Sequence, residues 1–156
     1  MKIEERPEQL YVGIRGTVTM TTFAKIADRI GEIVGWLADK GVPIAGAPFF
    51  RYLVIDMEGE IELEAGVPVE GLVETEADYF TGELPAGHYA TLTHHGHPDQ
   101  LVRKWDELLT WAAEQGELDV SGQRWGSRTE SYLTHPAEEP DPNNWDIELA
   151  VRVNMP

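Results

Sequence analysis

The sequence predicts an α+β domain in which two pseudo-symmetric βαββ repeats form one antiparallel sheet. Three observations lead there. Two amphipathic helical stretches end alike, in Trp36-Leu-Ala-Asp-Lys-Gly41 and Trp111-Ala-Ala-Glu-Gln-Gly116, 75 residues apart. Similar segments flank them in the same order: Tyr11-Val-Gly-Ile and Tyr89-Ala-Thr-Leu before, Arg51-Tyr52-Leu53 and Ser131-Tyr132-Leu133 after, then Ile61-Glu62-Leu63 and Ile147-Glu148-Leu149. Those flanks alternate or carry β-branched and aromatic residues, as strands do. A long unit that occurs twice reads as a duplicated half-domain rather than a solenoid. The expectation is one domain over residues 1–156, with half-repeats of about 1–78 and 79–156.

Strands are expected near residues 9–16, 48–56, 60–65, 79–84, 88–94, 127–133 and 146–153. The first helix carries Phe23, Ile26, Ala27, Ile30, Val34 and Leu37 at helical spacing, with Thr21 or Thr22 as N-cap and Gly41 as its end. In the second, Leu101, Trp105, Leu108, Leu109 and Ala112 form the stripe, Pro98 suits the first turn, and Gly116 ends it. Stripes this apolar must cover a face of the sheet. Pro136 to Asn144 is an acidic, proline-rich loop joining the last two strands. The offset between halves widens from 75 residues at the helices to 86 at the last strands, so insertions fall in the second half's loops.

Composition excludes several function classes. Twelve Lys and Arg against 28 Asp and Glu give a net charge of −16, which opposes direct nucleic-acid binding. No apolar run reaches the roughly 20 residues of a membrane span. The opening MKIEERPEQL lacks a secretory apolar region, so a cytoplasmic location is the default expectation. The chain has no cysteine, hence no thiol nucleophile. Ser121, Ser127 and Ser131 sit in no nucleophile elbow, and no glycine-rich phosphate loop occurs. Strand alternation sends His94 and His95 of the His94-His-Gly-His97 cluster to opposite faces, so no metal and no cofactor are expected.

Several stretches resemble GyrI-like small-molecule-binding domains, the effector-binding domains of multidrug-responsive regulators. They are Gly82-Glu-Leu-Pro-Ala-Gly87-His-Tyr89-Ala-Thr-Leu-Thr-His-His-Gly96, Trp105-Asp-Glu-Leu-Leu-Thr-Trp111, Glu130-Ser-Tyr132-Leu-Thr-His-Pro136 and Trp145-Asp-Ile-Glu-Leu-Ala-Val-Arg-Val153. The resemblance covers nearly the whole chain. It implies a concave groove between the half-domains, two long helices on the outer face, and a stand-alone member without a helix-turn-helix module.

Glu130 is the first candidate for chemistry. Alternation puts Arg128, Glu130 and Tyr132 on one strand face, and the repeat sets Phe50 opposite Glu130 and Tyr52 opposite Tyr132. By itself a strand glutamate is more often exposed and paired, here with Arg128 or a neighbouring strand. The family's glutamate at this strand position turns the reading toward the groove. A carboxylate among aromatic faces suits a flat cation, and a desolvated one suits acid–base work. Trp145 reads equally as core or as a groove wall; Trp125, between Gly122 and Gly126, is a candidate wall; Trp36 and Trp111 read as core or rim.

Three functions are expected of such a domain. The first is a binder of bulky aromatic, often cationic molecules through Glu130, Phe50, Tyr52, Tyr132, Trp145 and Trp125. The second is a cofactor-free hydrolase opening cyclopropane-bearing electrophiles, with Glu130 handling water and Tyr132 as proton donor. The third is a docking module for a protein partner such as gyrase.

Overall fold

The computed structural model describes residues 1–56 and 58–156. Among them the strands are β1 (Lys2–Arg6), β2 (Gln9–Val18), β3 (Phe49–Ile55), β4 (Ile61–Pro68), β5 (Phe80–Leu84), β6 (Gly87–His95), β7 (Glu117–Leu118), β8 (Val120–Ser121), β9 (Arg124–Trp125), β10 (Arg128–Tyr132) and β11 (Asp146–Asn154). The helices are α1 (Ala24–Ala27), α2 (Ile30–Asp39) and α3 (Leu101–Gln115). No helix is long and apolar enough to cross a membrane.

The main strands form one curled antiparallel sheet in the order β1-β6-β11-β10-β3-β4-β2-β5. Its central seam is β10 against β3, where Glu130 faces Phe50 and Thr129 faces Arg51. Following the register outward, Glu130, Phe50, Ala65 and Ile14 share one face. Thr129, Arg51, Glu64 and Arg15 share the other. Only the first of these faces carries the helices. A register shift between Tyr52 and Val54 marks a bulge in β3 at the middle of the sheet. Bulges bend a strand and re-aim its side chains, and this one lies beside Tyr52.

Two apolar clusters anchor the helices. Ile33 and Leu37 of α2 meet Ile14, Leu63 and Val67. Leu101, Trp105, Leu108 and Ala112 of α3 meet Ile147, Leu149 and Val151. Each fully buried Leu or Ile contributes about 1.5–3 kcal/mol of transfer free energy, so a handful per helix holds it in place.

The first helix is broken, not continuous as its stripe suggests. The Arg29 N–H returns to the Ile26 carbonyl, a tight three-residue closure, while the Arg29 side chain reaches Asp78 and Glu32. Thr21 and Thr22 cap no helix: α1 starts at Phe23 without a side-chain cap, and Thr22 Oγ1 instead accepts from the Thr19 N–H. Gly16 lets α1 approach β2, since a Cβ there would meet Ile26 Cδ1 at 2.6 Å. Gly41, at φ +69°, ends α2 in the left-handed region as expected. Gly116, by contrast, ends α3 in extended backbone. The helices pack on the groove's side of the sheet; α3 walls the groove with Leu101, Trp105 and Leu109, and Met20 and Phe23, just before α1, wall it as well.

Candidate functional site

Glu130 sits on the helix-bearing face of β10 and is only 4% exposed. Its Oε2 accepts from the Trp105 indole N–H at 2.6 Å, and its Oε1 from the Tyr52 hydroxyl at 2.8 Å. The Tyr132 hydroxyl lies 3.4 Å from the same Oε1. Three elements thus converge: α3 supplies the indole, β3 one phenol, and β10 the carboxylate and the other phenol. Among the described residues no lysine or arginine lies within ion-pair distance of this carboxylate. Burial pushes the Glu130 carboxyl above the usual range, while its donors and the charge of Arg128 pull it back. Burial, with Glu130's charge, likewise raises Tyr52 and Tyr132, so both phenols stay protonated donors at neutral pH.

Above Glu130 opens a groove of about 480 Å³, within the range of small-molecule sites. Met20 and Phe23 wall it on one side; Leu101, Trp105 and Leu109 of α3 wall it on the other. Tyr52, Tyr132, Glu130 and Arg128 form the floor. The Arg128 guanidinium lies between two indoles, 4.3 Å from the Trp105 ring centroid and 4.7 Å from that of Trp125. Burial brings its pKa down to about 10, so it remains charged at neutral pH.

The opposite face holds a smaller cavity of about 310 Å³ lined by Phe49, Tyr89 and the hydroxyl row Ser127, Thr129 and Ser131. Beside it, Glu64 is 1% exposed and fully engaged. Arg15 donates to its Oε2 from Nε at 2.9 Å and from Nη2 at 2.5 Å, the Tyr11 hydroxyl donates to Oε1, and Arg51 Nη1 lies 3.9 Å away. Glu64 lines neither cavity.

Of the residues singled out from sequence, Glu130, Tyr52 and Tyr132 come together on the groove floor. Phe50 is buried behind them, edge-on to Tyr132 at 5.3 Å and to Phe23 at 5.1 Å. Trp125 backs Arg128 instead of lining the groove. Trp145 stands edge-on to Tyr132 at 6.5 Å, with its indole N–H donated to the Glu139 carbonyl. These three support the lining from behind. Trp36 donates to Glu76 at the helix surface, and Trp111 of α3 packs partly buried against the second apolar cluster. His94 bonds the His97 carbonyl, and His95 pairs with Asp146.

Sequence reasoning passed over two floor and wall residues. Trp105 was legible as core, yet a buried indole N–H needs an acceptor, and that need was the available signal. Arg128 entered only in the alternative of an exposed Glu130 paired with it or with a neighbouring strand; it forms no ion pair with Glu130 and lies against the two tryptophans.

Comparison with known proteins gives one family and a set of folds. The family model described as GyrI-like small molecule binding domain matches residues 1–154. No match is found among curated proteins. The C-terminal domain of EcmrR superposes with a TM-score of 0.81 at 21% identity, covering 99% of this chain and 97% of that one. EcmrR bound to DNA gives 0.82 at 23% identity and 99% coverage, but this chain spans only 57% of it. A hydrolase from Listeria innocua gives 0.64 at 13% identity, covering 98% and 92%. SAV2435 bound to tetraphenylphosphonium gives 0.57 at 14% identity, covering 98% and 93%. At these identities the likeness is one of fold.

Proposed function

The chain belongs to the GyrI-like small-molecule-binding family, and we propose that its groove binds bulky, aromatic, often cationic molecules with Glu130 as countercharge. One observation carries this reading: a buried carboxylate with no ion-pair partner among the described residues stands at the floor of an aromatic groove of about 480 Å³. Burying an ionised carboxylate is costly unless something compensates it. Here phenol and indole donors do part of that, and a ligand cation between Phe23, Tyr52, Tyr132 and Trp105 would do the rest. The tetraphenylphosphonium bound by SAV2435 is a ligand of this kind.

The test is a fluorescence titration with rhodamine 6G on the wild type and on Glu130→Gln. Saturable binding that weakens roughly 30-fold in the variant, the scale of losing one buried charge partner, supports the reading. Absence of saturation up to millimolar dye refutes it and leaves docking to a protein such as gyrase through the acidic surface.

A second reading has its own observation, the Tyr132 hydroxyl held loosely at 3.4 Å from Glu130. The groove would then hydrolyse a cyclopropane-bearing electrophile. Glu130 takes a proton from water as it attacks the strained ring, and Tyr132 gives its proton to the oxygen that receives the electron pair. The Listeria innocua hydrolase shares this fold. Mass analysis of ligand recovered from the titration decides between them: a gain of one water means turnover, an unchanged mass means binding.

A further inference from the structure

Two opposite charges on the groove floor are not spent on each other. Arg128 and Glu130 are two residues apart on β10 and face the same way, which sets their Cα atoms roughly 7 Å apart. They form no ion pair, because Arg128 is clamped between Trp105 and Trp125 while Glu130 is held by Trp105 and Tyr52. Both indole rings lie against the guanidinium. A guanidinium donates in its plane, as a rigid fork of N–H groups. Among the described residues that fork has no acceptor: its Nε–H is buried without a hydrogen bond, and the carboxylates of Glu130 and Asp106 act on it only through space. Buried donors are nearly always satisfied; Nε itself is closed off, but Arg128 lines the groove, so the Nη end of a fork with no protein acceptor is where a ligand oxygen is expected.

We propose that the ligand of this groove is an aromatic zwitterion, with its cation over Glu130 and a carboxylate oxygen taken by Arg128. The proposal rests on the groove being the ligand site and narrows the class it accepts. A purely cationic aromatic satisfies Glu130 but leaves the Arg128 fork dry and repels it. A purely anionic one meets Glu130 and Asp106. A molecule with both charges a ring's width apart satisfies the whole floor. Such a pair of complementary contacts also excludes wrong ligands, since each mismatch leaves a desolvated charge unpaired.

Rhodamine B and its ethyl ester isolate the question. They share the xanthylium cation and the ring system, and differ in whether the benzoate is free or esterified. Both are titrated at pH 7.5 against wild type, Arg128→Gln and Arg128→Lys. The wild type is expected to bind rhodamine B at least tenfold tighter than the ester, ~1.4 kcal/mol. Arg128→Gln is expected to abolish or reverse that preference while still binding the ester. Arg128→Lys, which keeps the charge but loses the planar fork, is expected to retain part of it. Equal affinities in the wild type, or a preference for the ester, overturn the zwitterion proposal and leave the groove reading intact. Failure of both dyes to bind overturns both. If Arg128→Gln does not fold, the wild-type ratio and its partial loss in Arg128→Lys still decide.

Discussion

The sheet buries two glutamates, one on each face, and they do opposite things. Glu64 sits against Arg15, Arg51 and the Tyr11 hydroxyl and touches no cavity. Glu130 has indole and phenol donors, no ion-pair partner among the described residues, and an open groove above it. Burial is nearly the same, 1% against 4% exposed. The difference teaches that burial alone does not mark a functional carboxylate. In the proposed function, what marks Glu130 is the compensation left undone. Glu64 is neutralised within the fold and serves stability. Glu130 is only partly compensated, a configuration that costs stability and leaves interaction for a ligand.

Breaking the closed site should have the largest effect. Glu64→Ala leaves the buried Tyr11 hydroxyl without its acceptor and Arg51 without its countercharge, and removing one partner of a buried pair costs about 3–5 kcal/mol. Arg15 is half exposed and recovers water, so the low end is expected: about 3 kcal/mol, or roughly 9 °C in Tm at this size. Calorimetry checks it. Dye affinity of the folded variant should stay within twofold, because Glu64 does not line the groove. A large loss of affinity would erase the contrast between the two sites.

The same kind of change at Glu130 should act in the other direction. In Glu130→Gln the amide oxygen can still accept from Trp105, and its NH2 can donate to the Tyr52 hydroxyl. The variant removes a buried charge and keeps the hydrogen bonds. Stability at neutral pH should hold or rise by about 1 kcal/mol, while cation binding falls. The pH dependence sharpens this. Burial lifts the Glu130 carboxyl above its unfolded value, so the folded chain holds that proton more tightly. This contribution to stability is present at low pH and is lost as pH rises through the folded pKa. Cation affinity should climb over the same interval, because the ligand needs the carboxylate. Urea midpoints and dye titrations across pH 4–8, on wild type and Glu130→Gln, should show the opposed trends in the wild-type-minus-variant difference, since the other shifted carboxylates, such as Glu4 and Asp78, titrate alike in both.

Trp105→Phe tests the donor set with a smaller change. It keeps an aromatic wall and deletes the N–H bonded to Glu130 Oε2. A hydrogen bond to a charged group is worth about 1.5–3 kcal/mol, and its loss penalises the ionised form. The rise of cation affinity with pH should therefore shift to higher pH, with affinity largely restored on the alkaline side. An unshifted profile would mean that the indole only packs.

How much of this was legible from sequence follows from the physics of each element. The main strands and α3 were, because apolar periodicity reports burial on one face. β1 was not: Lys2–Arg6 has a single apolar residue, as a charged edge strand does, and it is held by pairing to β6. The break between α1 and α2 was hidden because the apolar stripe runs on through it while Arg29 is drawn to Asp78, far along the chain. Glu130, Tyr52 and Tyr132 were legible through alternation and family resemblance. Trp105 and Trp125 beside Arg128 were not, since α3 and the β7–β9 excursion reach β10 only through tertiary packing. Glu64 was not legible either. In Ile61-Glu-Leu-Glu-Ala65 the alternation places it away from the helices, where solvent is the ordinary expectation, but Tyr11, Phe49 and Phe80 pack together on that face beside it.

The smallest structural effect belongs to Tyr132→Phe, and it separates the two functional readings. The Tyr132 hydroxyl is the farthest of the three donors from Glu130, at 3.4 Å against 2.6 and 2.8 Å. Its ring packs edge-on against Phe50 and Trp145 and keeps those contacts as phenylalanine. Stability should change by no more than ~0.5 kcal/mol, and rhodamine 6G affinity by less than threefold, because stacking area and countercharge both survive. A hydrolase that uses this phenol as its proton donor should instead lose 10²–10⁴-fold in turnover at unchanged binding. If the groove converts a cyclopropane-bearing ligand and Tyr132→Phe converts it as fast, the proton comes from another group. Tyr52 is then the remaining phenol in reach of Glu130, and its stronger hydrogen bond to the carboxylate makes it the slower donor of the two.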